Sequence, residues 1–211
     1  GRRFHTLRRD PTQTDELEDR AYWGEQKFYV YFHEPADVAD TVFMVHKHLD
    51  RDDDRWLYLP ALDLVKRIAA TDKRTSFVGS NFFYEDVSGR NIDLDKHELI
   101  NTTDNYYVLK HTPKEPDLVE FDHYVMYVHK SSFIPVQTEY YDKAGKKYRV
   151  YKVLKVEQVE GFPTVTRSSM ENLKTGSKTV MTYSDVDYNV GLPEEIFTER
   201  YLRKPPQQYL K

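Results

Sequence analysis

The chain has 211 residues, 39% hydrophobic and 31% charged, a balance that fits one folded domain and excludes a disordered tail or a membrane-embedded bundle. Its net charge of -4 comes from interspersed signs, so no basic stripe points to nucleic acid and that partner class is set aside. There are no cysteines, which removes disulfides, thiolate metal sites and cysteine nucleophiles.

Aromatic residues reach 14%, with 17 tyrosines, and such rings suit a pleated, half-buried surface, so strands are expected to dominate. Phe4 to Arg8 reads as a short first strand, followed by the polar turn Asp10 to Glu16. Lys27 to Phe32, Thr41 to Leu49, Arg55 to Leu59 and Val65 to Ala69 read as the next strands, with stops at Pro35, at the acidic Asp50 to Asp54 and at Pro60. Thr75 to Val87 suits neither a clean strand nor an amphipathic helix, and is read as a loop with one helical turn. Tyr106–Lys110, Phe121–Lys130, Pro135–Tyr141, Lys147–Val159, Thr164–Leu173 and Thr179–Tyr188 follow as strands joined by short turns, which force antiparallel neighbours. Only Pro193 to Leu202 reads as helical.

No linker or repeat interrupts the pattern, so residues 1–211 read as a single domain. The expected fold is mainly β (α+β): one antiparallel meander of about ten strands, curled because long sheets twist. Several strands are apolar on both faces: Phe28, Val30 and Phe32 on one side and Tyr29 and Tyr31 on the other. A concave side holding a helix or an apolar ligand explains this, and so does Tyr decorating exposed strand surfaces.

The most informative stretch is Asp53-Asp54-Arg55-Trp56-Leu57-Tyr58-Leu59-Pro60, then Arg67-Ile68, then Ser76-Phe77-Val78-Gly79-Ser80-Asn81-Phe82-Phe83-Tyr84-Glu85-Asp86. It resembles the signature of the LolA-like outer-membrane lipoprotein-sorting family, and the flanking strands agree with that family over nearly the whole chain. The resemblance implies a strongly curved, incomplete antiparallel barrel with helices plugging its concave face. It also implies a periplasmic, non-catalytic carrier of lipid or lipoprotein acyl chains, some members of which work beside RND (MMPL-type) transporters or an outer-membrane acceptor. Family members begin with a signal peptide, an N-terminal helix and a first strand, and this chain is expected to start after them.

Trp56, Tyr58, Phe77, Phe82, Phe83 and Tyr84 are the candidate cavity or lid residues. Rings at 77 and 82–84 must fold over something apolar, either a cavity mouth or the core. Arg67 and Arg74 are headgroup candidates, since Arg recognises phosphate and carboxylate; ion pairs with Glu85 or Asp86 are the alternative.

No enzyme is expected. Glu85-Asp86 and Glu194-Glu195 have no marked acid/base partner, and nucleophile-elbow, P-loop and dinucleotide fingerprints are absent. His46 and His48 share a strand face near acidic residues but have no third ligand at diagnostic spacing, so no metal or other cofactor is assigned. No stretch approaches the roughly 20 apolar residues of a membrane helix, and Gly1 to His5 carries no apolar leader. A sensor or adaptor that docks a protein partner, such as an RND-type transporter or an envelope regulator, is the alternative function. The oligomeric state is left open, with edge-to-edge pairing of two copies one option.

Overall fold

The computed structural model describes residues 1–11 and 26–211. Its strands are β1 Arg3–Arg9, β2 Lys27–Glu34, β3 Val42–His46, β4 Asp54–Leu59, β5 Leu64–Arg67, β6 Asp95–Thr102, β7 Tyr106–Pro113, β8 Phe121–His129, β9 Pro135–Asp142, β10 Lys147–Val159, β11 Phe162–Asn172 and β12 Ser177–Thr182. Among the described residues two short α-helices occur, α1 Tyr84–Ser88 and α2 Arg200–Arg203. The strands form two antiparallel meanders, β1 to β5 and β6 to β12, each in chain order. The fold is thus mainly β with few helices, and neither sheet is closed, in keeping with an incomplete barrel.

The expected single meander is two, because no strand bridges residues 68–94, where the signature loop lies. β6 was not anticipated. It is an edge strand exposed along nearly its whole length, and a bulge at Ile100 breaks its alternation, so neither burial nor period marks it. The expected helix over Pro193 to Leu202 is a 3-10 turn at Glu194–Phe197 and then α2, because Thr198 between them is extended. The polar turn at Asp10 to Glu16 falls largely outside the described residues.

The chain divides into two compact units, Gly1–Lys73 with Asn189–Lys211, and Arg74–Tyr188. In the first, cross-strand register puts Tyr29, Met44 and Trp56 in one row and Tyr31, Val42 and Tyr58 in the next. Paired residues share a face, and this face packs with Ile196, Phe197, Leu202 and Leu210 of the C-terminal segment. Each such buried apolar side chain contributes about 1.5–3 kcal/mol. Polar ends are satisfied within the same layer: the Tyr29 hydroxyl donates to the Tyr201 carbonyl at 2.6 Å, and His46 Nε2 donates to the Phe197 carbonyl at 2.6 Å. Phe28, Val30, Phe32 and Phe43, on the opposite face, are buried as well, so both faces of β2 and β3 are covered, as their two-sided apolar pattern anticipated.

In the second unit, tight turns set the meander. The β10–β11 turn is Glu160-Gly161, with φ of 49° and 83°, the doubly left-handed geometry that suits a two-residue hairpin. Val119, Phe121, Tyr124 and Tyr148 form its buried cluster, with Met126 and Tyr140 packed against them.

A candidate site on the seven-stranded sheet

The signature loop is held by a buried lattice of charges. His111, Tyr124, Tyr140 and Arg149 are cross-strand partners on β7 to β10 and so lie in one row on one face of the sheet. Arg149 donates to the Asn81 carbonyl at 2.9 Å and pairs with Asp86. Asp86 in turn accepts the Phe83 backbone N–H at 2.6 Å, which satisfies one of the free donors that open α1. Next to it, Glu85 is 1% exposed and sits between Arg74 at 3.0 Å and Arg90 at 3.2 Å. Arg74 also holds Glu120 through two hydrogen bonds of 2.7 and 2.6 Å, and Arg90 holds Asp95 through two of 2.9 Å.

Two tyrosines complete the lattice: Tyr148 donates to Glu120 at 2.7 Å and Tyr124 to Asp95 at 2.6 Å. Burial and the adjoining carboxylates push both phenols well above their ordinary pKa, so both remain donors. Burial opposes the charge on Arg74, yet hydrogen bonding and attraction from Glu120, with Glu85 adding to them, raise its pKa well above the usual value. The same partnership holds Glu120, whose side chain is 37% exposed, below the ordinary glutamate range against the partial loss of solvent around it. Rings fill the gaps: Phe83 lies between the guanidiniums of Arg149 at 3.8 Å and Arg74 at 5.2 Å, and Phe121 lies under Arg74 at 4.7 Å. Each of these carboxylates is bound to a guanidinium, so the lattice is a clamp.

The sequence candidates fall in both units. Phe77 and Phe82 are buried, with Phe83 and Tyr84 partly so, and Phe77 meets Tyr84 edge-on at 5.7 Å. The loop's rings therefore belong to the second unit's own interior. Arg74 is in this unit too, and takes the ion-pair alternative with Glu85. Trp56, Tyr58 and Arg67 belong to the first. Trp56 is packed in the core and donates its indole N–H to Glu199 at 3.0 Å. The Arg67 guanidinium covers the Trp56 ring at 4.6 Å and pairs with Asp54 at 2.6 Å. Tyr58 donates to Asp63 at 3.2 Å. His46 and His48 turn to separate partners, the Phe197 carbonyl and Asp54, and among the described residues no group of three or more His, Asp or Glu is placed to hold a metal.

Sequence reasoning missed Arg90, Asp95, Glu120 and Arg149. One signal was available: Arg149 shares a strand face with Tyr151 and Val153, and a cation among such residues implies an acidic partner.

Beyond the clamp, the same sheet face carries a second row. Register aligns Leu99, Leu109, Met126, Thr138, Tyr151 and Met170 across β6 to β11. Leu99 is 56% exposed, Leu109, Met126 and Tyr151 are half-buried, and Thr138 and Met170 are buried. This is an oily stripe where a solvated sheet face is ordinarily polar.

The model of a family described as an uncharacterized protein matches residues 24–204. Among solved structures, an outer membrane lipoprotein-sorting protein domain, so assigned, from Vibrio parahaemolyticus is 31% identical with a TM-score of 0.76, and the match covers 85% of this chain and 78% of that one. A DUF1329 family protein from Desulfovibrio piger is 30% identical with a TM-score of 0.81, over 95% of this chain and 83% of that one. The chain belongs to this LolA-like lipoprotein-sorting family. A LolA superfamily protein from Nitrosomonas europaea, 23% identical with a TM-score of 0.60 over 94% of this chain and 89% of that one, shares the LolA-like fold. No curated protein matches. Among the described residues, no helix is long and apolar enough to cross a membrane.

Proposed function

We propose that this protein is a non-catalytic periplasmic carrier that shelters acyl chains of lipids or lipoproteins against the apolar stripe of its seven-stranded sheet. The observation that carries this reading is the stripe itself. From Leu99 on β6 to Tyr151 on β10 it crosses five strands, a path of roughly 19 Å at the usual strand spacing, and it combines apolar side chains with partial exposure. An acyl chain laid along it gains about 0.8 kcal/mol for each methylene removed from water, without any polar contact. Membership of a lipoprotein-sorting family supports the same cargo class.

In this reading the loop carrying Phe77, Phe82, Phe83 and Tyr84 closes one end of the stripe, with Arg74 and Arg149 fastening it. Cargo is passed on to an outer-membrane acceptor, or received from an RND-type transporter. The absence of any carboxylate in the clamp that lacks a guanidinium partner supports binding over catalysis.

The test is uptake of a fluorescent fatty acid by the wild type and by Leu109→Asp and Met126→Asp, two substitutions at half-buried stripe positions. Saturable uptake by the wild type, lost in both variants while their circular dichroism is unchanged, is expected. Equal uptake by all three, or none by the wild type, would count against the stripe as the binding surface.

A further inference from the structure

The hairpin of β10 and β11 outruns its sheet. β9 pairs with β10 only over Lys147 to Lys152, and β12 pairs with β11 only from Arg167 onward. The distal part, from Val153 round the turn to Thr166, is therefore a two-stranded ribbon, and such a ribbon is marginal in water without a further partner. Its β11 side has one. The Tyr183 N–H donates to the Thr166 carbonyl at 2.8 Å, the Tyr188 ring lies 4.8 Å from that of Phe162, and the Tyr188 hydroxyl meets Thr164 Oγ1 at 2.7 Å. Among the described residues, the β10 side has no strand beyond Lys152. Leu154 and Val156 are 44% and 43% exposed there.

We propose that this outer edge of β10 joins two copies of the chain, which pair antiparallel about Val156. In the segment Val153-Leu154-Lys155-Val156-Glu157-Gln158-Val159, opposite charges flank Val156 on its two sides. β10 carries an extra residue at Leu154, so the seam is centred on Val156, where the pairing sets Lys155 opposite Glu157 of the second copy, twice. Lys155 and Glu157 are two apart on one strand and already form an ion pair at 2.9 Å on the same face, so each has an oppositely charged side chain directly across the new seam. Charges on an exposed edge ordinarily repel a second copy; here their order makes them complementary. The contact is small, so it predicts a concentration-dependent monomer–dimer equilibrium and not a permanent dimer.

The order of charges supplies a decisive experiment by sedimentation velocity on the whole chain. Lys155→Glu places two acidic residues opposite two in a self-pair, and Glu157→Lys places two basic residues opposite two, so each variant alone is expected to run as a monomer. Mixed one to one, the two variants set the acidic pair of one chain against the basic pair of the other, and the dimer returns. The double variant Lys155→Glu/Glu157→Lys, which keeps both charges on one chain, dimerises like the wild type. A wild type that is monomeric at every concentration, single variants that still dimerise, or a mixture that stays monomeric each overturns the proposal. Circular dichroism of every variant separates loss of pairing from loss of folding, and the return of the dimer on mixing does so independently.

Discussion

The guanidinium of Arg149 lies 3.8 Å from the centre of the Phe83 ring, with the Arg74 guanidinium 5.2 Å from the same ring. Phe83 belongs to the signature loop and Arg149 to β10, so this contact joins the most recognisable run of the sequence to the sheet that carries the apolar stripe. The acidic pair that ends the signature, Glu85 and Asp86, supplies the anions that hold these cations in place.

Removing Arg74 tests the clamp. Arg74→Met leaves Glu85 with Arg90 and leaves Glu120, whose side chain is 37% exposed, with the Tyr148 hydroxyl, so the cost is expected between the ~1 kcal/mol of a surface ion pair and the ~3–5 kcal/mol of a broken buried one. Urea unfolding is expected to show a midpoint lowered accordingly. A loss below about 1 kcal/mol, the value of a surface ion pair, would mean that the clamp is exposed in solution.

The same pairing has a pH signature. The pKa of Glu120 is depressed in the folded state, so its stabilisation is present in full above the ordinary glutamate pKa and is lost as pH falls through the depressed value. In Arg74→Met this contribution disappears, and the acid limb of a plot of stability against pH is expected to flatten relative to the wild type. An unchanged acid limb would argue that other carboxylates dominate acid unfolding.

His111 acts in a neighbouring pH window. It is 6% exposed, stacks on Tyr124 at 4.5 Å and faces His97, with 2.6 Å between the two Nδ1 atoms. Burial first, and then repulsion by His97, push its pKa down to about 4. The unfolded chain takes up this proton near pH 6.5 and the folded chain only near 4, so stability is expected to fall as pH drops across that interval, by at most about 3 kcal/mol. Melting curves of the wild type and His111→Phe measure it: the variant should lose this slope and the wild type keep it.

Val78 holds φ at 45° in the turn of the signature loop, a left-handed conformation unfavourable for a β-branched residue. Val78→Gly relieves the strain and is expected to be neutral or stabilising by about 1 kcal/mol in thermal melts, although glycine adds freedom to the unfolded chain. A clear destabilisation would show that the valine side chain contributes packing worth more than the strain.

Much of this was legible from particular residues. The strands from Lys27 to Phe32 and from Lys147 to Val159 announced themselves through aromatic and β-branched content. The signature at 53–86 pointed to the family, and the single helical turn expected within Thr75 to Val87 is α1. What escaped was carried by distance along the chain. Glu120 meets Arg74 across 46 residues and Arg149 meets Asp86 of the signature loop across 63, and no local pattern encodes such a partnership. β6 escaped because an exposed, bulged edge strand has no buried face to impose alternation. The sheet break at residues 68–94 escaped because a loop over Thr75 to Val87 does not by itself tell whether the strands on its two sides share a sheet.

The carrier reading is tested most directly by native mass spectrometry of the protein purified without detergent or added lipid. The account predicts a second charge-state series heavier than the bare chain by the mass of an acyl-bearing lipid, displaced by an added fatty acid and weakened by Met126→Asp. Only bare protein, with no adduct appearing when lipid is supplied, would contradict it.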